Sequence, residues 1–191
     1  MSRNLRFALF AVVALVQLAV AGSAIVKSEL ALRTGEAFRF RIQPVDPVDA
    51  FRGRYVAIRF AVDRAQVVEG AAVRPRKYIF VPIEVDADGF AALGWADVDP
   101  PDEGAYLRLR AGVVTPDEDG NQQVWLQMPF RRFYMDEDKA PKAERAVWSQ
   151  RRGQRNASVS VRIRHGVGVI EELYIDDVPI HQWLEDNADS R

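Results

Sequence analysis

Hydrophobic and polar positions divide the chain into one unbroken apolar run and a long stretch of short alternations. The run, Phe7 to Val26 (FALFAVVALVQLAVAGSAIV), holds no charged side chain; Arg3 and Arg6 precede it and Lys27 closes it. About 20 helical residues rising 1.5 Å each match a hydrocarbon core of roughly 30 Å. The run therefore predicts a transmembrane anchor over residues 1–27. A cleaved secretory signal competes with that reading, because Ala19-Val20-Ala21 and Gly22-Ser23-Ala24 both fit a small-x-small cleavage site. Length favours the anchor. Signal centres usually run about 7–15 residues, and here apolarity continues through Ile25 and Val26. Gln17 is the one strongly polar side chain inside the run, either a tolerated amide or a helix–helix contact.

Beyond Lys27 the period changes. Ser28 to Arg33 extends the anchor helix by a turn or two before Gly35. Phe38, Phe40 and Ile42 then alternate with Arg39 and Arg41, which is the strand period. Pro44 and Pro47 stop this strand, and Arg54–Val62 resumes with Val56, Ile58 and Phe60 on one face and Tyr55 and Arg59 on the other. Tyr78–Asp86 is strand-like but contains Pro82, which calls for an edge or a bulge. Asp86–Gly89 reads as a hairpin turn into Phe90–Val98, and Pro116–Asn121 as a second turn between Ala105–Val114 and Gln123–Tyr134. Asp138–Arg151 breaks the pattern: Ala143, Ala146 and Val147 fall at helical spacing, with Pro141 in the first turn. Strands return at Ala157–His165 and Val167–Ile175 with Gly166 or Gly168 at their turn, and Pro179–Glu185 closes the pattern as a short turn. The expected body is a single mainly β domain over 28–191, an antiparallel sandwich or barrel-like sheet with one helix near 138–151.

Composition narrows the chemistry. The chain has 26 basic and 27 acidic residues; without Arg3 and Arg6 the body carries 24 basic residues against 27 acidic, the wrong balance for nucleic acid. The absence of cysteine excludes disulfides, thiolate nucleophiles and Cys-based metal sites. Ser28 with Lys77 lacks the flanking sequence of a Ser/Lys pair, and His165 and His181 show no paired-ligand spacing. Asp117–Asn121 is similar to a calcium loop, but its twelfth position is Met128 rather than Glu, so it reads as a turn. Glu171, Glu172, Asp176 and Asp177 are candidate carboxylates for sugar hydrolysis, with solvated strand ends as the plainer reading. No cofactor or metal is expected. Trp95, Trp125, Trp183, Phe130, Phe133 and Tyr134 read as core aromatics. Trp148, among Arg145, Arg151 and Arg152, suits an interface or anionic headgroups.

The densest signal is Pro44–Phe60, PVDPVDAFRGRYVAIRF. Pro47 moves Asp46 away from the α region, Asp46 and Asp49 can accept backbone N–H groups, and Gly53 permits a close turn. The segment is either a turn feeding a core strand or an exposed platform of Arg52, Arg54, Tyr55 and Arg59. It resembles the GDYXXLXY family of bacterial proteins. Gly53 and Tyr55 agree with the family motif, Ile58 and Phe60 stand in for its leucine and last tyrosine, and Arg54 replaces its aspartate with the opposite charge. The Pro44, Asp46, Pro47 and Arg52 lead-in, Leu32-Arg33-Thr34-Gly35 and Arg132-Phe133-Tyr134-Met135 fit the same layout. The resemblance implies an exported, membrane-anchored domain of uncharacterised activity, adjacent to a multi-spanning membrane protein, with no catalytic residue to carry over.

Arg3 and Arg6 keep the N-terminus cytoplasmic. In a bacterial host this makes the chain a single-pass inner-membrane protein with a periplasmic body. The expected function is a binding or accessory subunit for a membrane protein or envelope component. The alternative is an envelope hydrolase with an unrecognised active site, and a structural spacer stands third. The anchor reading predicts that protein extracted from membranes retains Phe7–Val26 and resists alkaline carbonate. N-terminal peptide mass spectrometry checks this, and a soluble product beginning near Gly22 or Ile25 would overturn it.

Overall fold

The computed structural model describes residues 2–43, 55–149 and 156–187, with backbone only at Trp148 and Ser149. The first helix, α1 (Arg3–Thr34), is 32 residues long, about 48 Å at 1.5 Å per residue. Ser2 caps it by accepting the Leu5 N–H at 3.4 Å. The helix is apolar on every side, and Phe7, Leu18 and Ile25 are all at least 66% exposed. It is long and apolar enough to cross a membrane, and its apolar window packs against nothing among the described residues. Only its last turns meet the body, where Ala31 is fully buried.

Gly35 makes the elbow between α1 and the first strand. Its N–H donates to the Ala31 carbonyl at 2.9 Å. A Cβ at Gly35 would strike that same oxygen and stand 2.9 Å from the Ile163 carbonyl oxygen. Only glycine lets helix and sheet backbones approach this closely. The Gly35 carbonyl accepts from Arg162 Nη1 at 3.1 Å, which ties the elbow to the sheet it crosses.

From this elbow the chain runs through β1 (Glu36–Gln43), β2 (Tyr55–Ala57), β3 (Arg59–Phe60), β4 (Arg64–Gln66), β5 (Tyr78–Val85) and β6 (Ala91–Leu93). It continues with β7 (Tyr106–Pro116), β8 (Gln122–Gln127), β9 (Arg132–Tyr134), α2 (Ala140–Ser149), β10 (Ala157–Arg164), β11 (Val167–Ile175), β12 (Val178–Pro179) and α3 (Ile180–Asp186). The strands form one sheet of order β12-β11-β10-β1-β3, another of order β4-β8-β7-β5-β6, and a ribbon β2-β9. Every pairing between these strands is antiparallel. A bridge between Val67 and Ala96, just beyond β4 and β6, joins the two ends of the second sheet and nearly closes it into a barrel. The mainly β architecture with an N-terminal apolar helix is as expected.

Several expected strands are shorter or change partners. Arg54–Val62 is not one strand: β2 pairs with β9, β3 pairs with β1, and Ile58 lies between them. The alternation nevertheless continues across the break, with Val56, Ile58 and Phe60 all buried. Gln123–Tyr134 divides into β8 and β9 around Met128-Pro129-Phe130, where Pro129 has no N–H to give a ladder. Phe90–Val98 keeps only β6 as a regular strand, and the closing turn is the helix α3. Pro82 is in an interior strand. It sits where the partner slips by one residue, between Phe80–Asp97 and Ile83–Leu93, so its missing N–H costs no regular ladder bond. Ala143, Ala146 and Val147 are buried on α2 as their spacing required.

The turns follow local chemistry. Asp86 and Asp117 build the same device: each carboxylate accepts two backbone N–H groups, from Asp88 and Phe90 or from Asp119 and Asn121. Gly89 and Gly120 supply the positive φ these loops need. His165-Gly166 and Asp176-Asp177 each have positive φ at both residues, the signature of a two-residue type I′ hairpin.

Two arginines of β1 hold the second sheet's first hairpin against the first sheet. Arg41 bonds Asp86 and, at 2.6 Å, Asp88, and lies 4.1 Å over the Phe90 ring. Arg39 lies 4.5 Å over Tyr174 and donates to Ser158 and Asp177, each at 2.7 Å. In the core, Phe60 packs edge-on against Phe40 at 5.5 Å and Phe130 at 5.2 Å.

Gly35→Ala should lower stability by about 1–3 kcal/mol, the usual cost of forcing atoms into a filled space. Thermal unfolding of the full chain in detergent measures it, and an unchanged midpoint would mean that the elbow is looser than its backbone contacts imply.

Candidate functional site

Where β2, β9, β3 and β11 converge they surround a cleft of about 1360 Å³, open to solvent. Its floor is apolar: Ile58, Phe60, Leu126, Met128, Phe130 and Phe133 line it and are all buried. Gly168 makes room for this floor, because a Cβ there would lie 2.5 Å from the Phe130 ring and 2.9 Å from Leu107. Ser28 of α1, Glu171 of β11 and His181 of α3 complete the walls.

The rim has a different chemistry. In the β2–β9 ribbon, Tyr55 stands opposite Tyr134, Val56 opposite Phe133 and Ala57 opposite Arg132. Strand alternation turns Val56 and Phe133 inward, leaving Tyr55, Tyr134 and Arg132 toward the cleft mouth. The tyrosine rings meet edge-on at 5.9 Å, and the Arg132 guanidinium lies 4.8 Å over Tyr55. Hydrogen bonding to Tyr134, followed by the nearby Tyr55, strengthens the hold of Arg132 on its proton. At the break between β2 and β3, Ile58 N–H donates to the Arg131 carbonyl at 2.9 Å. This bond brings the Arg59 segment beside Arg131, far from it in sequence, and both line the same cleft. Trp125 adds an aromatic face, with Arg64 lying 3.9 Å over its ring.

The lining acids are already engaged. Glu171 accepts from Arg162 Nε at 3.0 Å and from Ser160 Oγ at 3.1 Å. The Arg162 bond is the main reason its carboxyl is held below the usual range, against a smaller opposing effect of burial. Asp63 lies 3.5 Å from Arg64. Arg59, Arg131 and Arg132 have no carboxylate partner among the described residues. The cleft is thus an apolar trough with a cationic, aromatic mouth.

Of the residues singled out in the sequence, Tyr55 and Arg59 line this cleft, and Ile58 and Phe60 form its floor. Pro44, Asp46, Pro47, Arg52, Gly53 and Arg54 lie outside the described residues. So do Arg151, Arg152 and the Trp148 side chain, whereas Arg145 is exposed on α2. Two aromatics expected in the core are at the cleft mouth instead: Tyr134 is 67% exposed and Trp125 38%. Trp95, also expected in the core, is 54% exposed, while Phe130 and Phe133 are buried as expected. Arg131 and Arg132 were not singled out as site residues. Their signal was the out-in-out pattern Arg132-Phe133-Tyr134, which puts a cation and a phenol on one strand face.

The remaining candidate chemistry separates. Ser28 lines the cleft but Lys77 does not. His165 and the Asp176-Asp177 pair form hairpin turns. Among the described residues, no three His, Asp or Glu side chains converge on a metal-sized site.

A family model, described as GDYXXLXY protein, matches residues 17–173, from the second half of α1 through the ribbon, the cleft and most of β11. The chain belongs to the GDYXXLXY family. No curated protein and no solved structure matches it. In this GDYXXLXY protein, Tyr55 of the motif faces the cleft while Ile58 and Phe60, at the motif's later positions, build the trough beneath it.

The Glu171 interaction predicts an acid-side loss of stability. Its folded-state pKa lies below the ordinary 4.5, so its contribution is complete above that value and disappears as pH falls through the folded pKa. Because the pair is partly exposed, about 1 kcal/mol or less is at stake. Thermal unfolding from neutral to acidic pH should show a shallower acid limb in Glu171→Gln than in the parent chain. Identical limbs would remove Glu171 as a source of the pH dependence.

Proposed function

We propose that this chain is a single-pass, membrane-anchored accessory subunit. Residues 1–27 hold it in the bilayer, 28–191 form one exported domain, and the cleft engages a component of the membrane in which α1 sits. The observation carrying this reading is the unbroken helix from the apolar run to the cleft wall: Ser28, two residues beyond Val26, is on the lining. Ala31 and Gly35 seat that helix on the sheet, so the cleft is held at a fixed distance from the bilayer instead of on a loose tether.

Supporting chemistry comes from the mouth. Arg, Tyr and Trp are the residue types that anchor interfaces, and here they surround an apolar trough. Arg3 and Arg6 before the helix favour a cytoplasmic N-terminus, which makes the body periplasmic in a bacterial cell. A multi-spanning membrane protein is the kind of assembly such a subunit would serve.

The test is mild-detergent extraction of the full chain from native membranes, with co-purifying proteins and lipids identified by mass spectrometry. The double variant Tyr55→Ala, Arg132→Ala should lose at least one component that the parent retains. Trp95→Ala, a change of an exposed residue outside the cleft lining, should lose none. Retention of every component by the cleft variant would remove the cleft as the binding site.

A further inference from the structure

We infer that the cleft binds the phosphate-bearing headgroups of anionic phospholipids in the leaflet from which α1 emerges. This deepens the binding function proposed above and rests on it. The first observation is depth. A bilayer's polar layer extends about 5–7 Å beyond the hydrocarbon on each side. Ser28 lies two residues past the last apolar residue, about 3 Å further along the helix axis. A wall of the cleft therefore stands within the headgroup layer whenever Phe7–Val26 spans the core.

The second observation is charge. Arg59, Arg131 and Arg132 line the cleft without a carboxylate partner among the described residues. The acids that share the lining, Asp63 and Glu171, are each beside another arginine, Arg64 and Arg162. Guanidinium groups match phosphate oxygens in planar, two-point geometry. The third is the aromatic mouth. Tyr and Trp favour the headgroup level, where an apolar ring and a polar edge are both solvated suitably. Tyr134 and Trp125 present that composition at the cleft mouth, 67% and 38% exposed. An acidic protein segment would satisfy the charge alone. The depth of Ser28 adds the reason to choose lipid.

The experiment places the photo-crosslinker p-benzoylphenylalanine at Tyr134, an exposed position, in the full chain. Nanodiscs of phosphatidylcholine alone are compared with nanodiscs that also contain phosphatidylglycerol. A lipid adduct that forms preferentially with phosphatidylglycerol is expected, and Arg131→Ala should weaken it by about fivefold, the effect of one basic residue at an anionic surface. Arg131→Lys, which keeps the charge, should retain most of it. Equal adducts in both nanodiscs, or abolition by inorganic phosphate, would overturn the lipid assignment. The same probe in native membranes separates this inference from the reading beneath it. A crosslink to a protein instead of lipid overturns the headgroup inference and leaves the binding function standing; no crosslink to either overturns both.

Discussion

The backbone contact at Gly35 is the constraint on which the rest of the arrangement depends. A long apolar helix has no reason to keep a particular angle to the domain that follows it unless something fixes the junction. Here Ala31 is buried, the Gly35 position has no room for a side chain, and Arg162 reaches the Gly35 carbonyl while also pairing with Glu171. One arginine thus links the elbow, β10 and the cleft wall. Each of its polar contacts is partly exposed and individually weak. The exclusion of a Cβ is different, because overlap with two backbone carbonyls cannot be relieved by turning a rotamer. Geometry, more than the summed strength of the ion pairs, holds the cleft beside the end of the apolar helix.

The same economy of backbone explains how the cleft forms at all. A continuous strand from Arg54 to Val62 would have extended one sheet and left no cavity. The chain instead changes partners at Ile58, from β9 to β1, and the Ile58 N–H is taken by the Arg131 carbonyl. The opposite segment makes its own break at Pro129. Two interrupted strands face each other across a gap, and Phe60 and Phe130 fill its base edge to face, with Phe40 packed against Phe60 in the core. Edge-to-face packing suits the purpose because it lets large rings fill a curved floor without stacking flat.

Much of this was legible in the sequence. Period-two alternation identified which side chains of β1 and of the Tyr55–Phe60 stretch face inward, and it continued to do so across a break that it did not reveal. Alternation reports the face of each residue, not its partner, so a switch between two sheets leaves no trace as long as the apolar period is kept. The Asp-x-Asp-Gly turns were readable because their chemistry is local: a carboxylate accepting two nearby N–H groups and a glycine at positive φ. The Asp176-Asp177 turn was not, since two aspartates at positive φ resemble a solvated acidic pair. Tyr134 and Trp125 were placed in the core on their apolar area, whereas the structure uses their amphipathic character at the mouth. What assembled the site, the meeting of Arg59 with Arg131 and Arg132, depends on long-range pairing that no local pattern encodes.

The departures of this chain from the family motif acquire a physical meaning at the two positions the structure describes. Ile58 replaces a leucine in a buried site, a change of shape at nearly constant volume that a core tolerates. Phe60 replaces a tyrosine, and its ring is 4% exposed between Phe40 and Phe130. A hydroxyl at that site would need its own hydrogen-bond partner to offset the loss of water. Phenylalanine removes the requirement and leaves the trough apolar. Tyr55 has kept its hydroxyl at the rim, where Tyr134 and Arg132 surround it and solvent is available. The motif thus divides into a polar-tipped aromatic at the mouth and two apolar side chains beneath it, and the division follows the change from a solvent-exposed rim to a buried apolar floor.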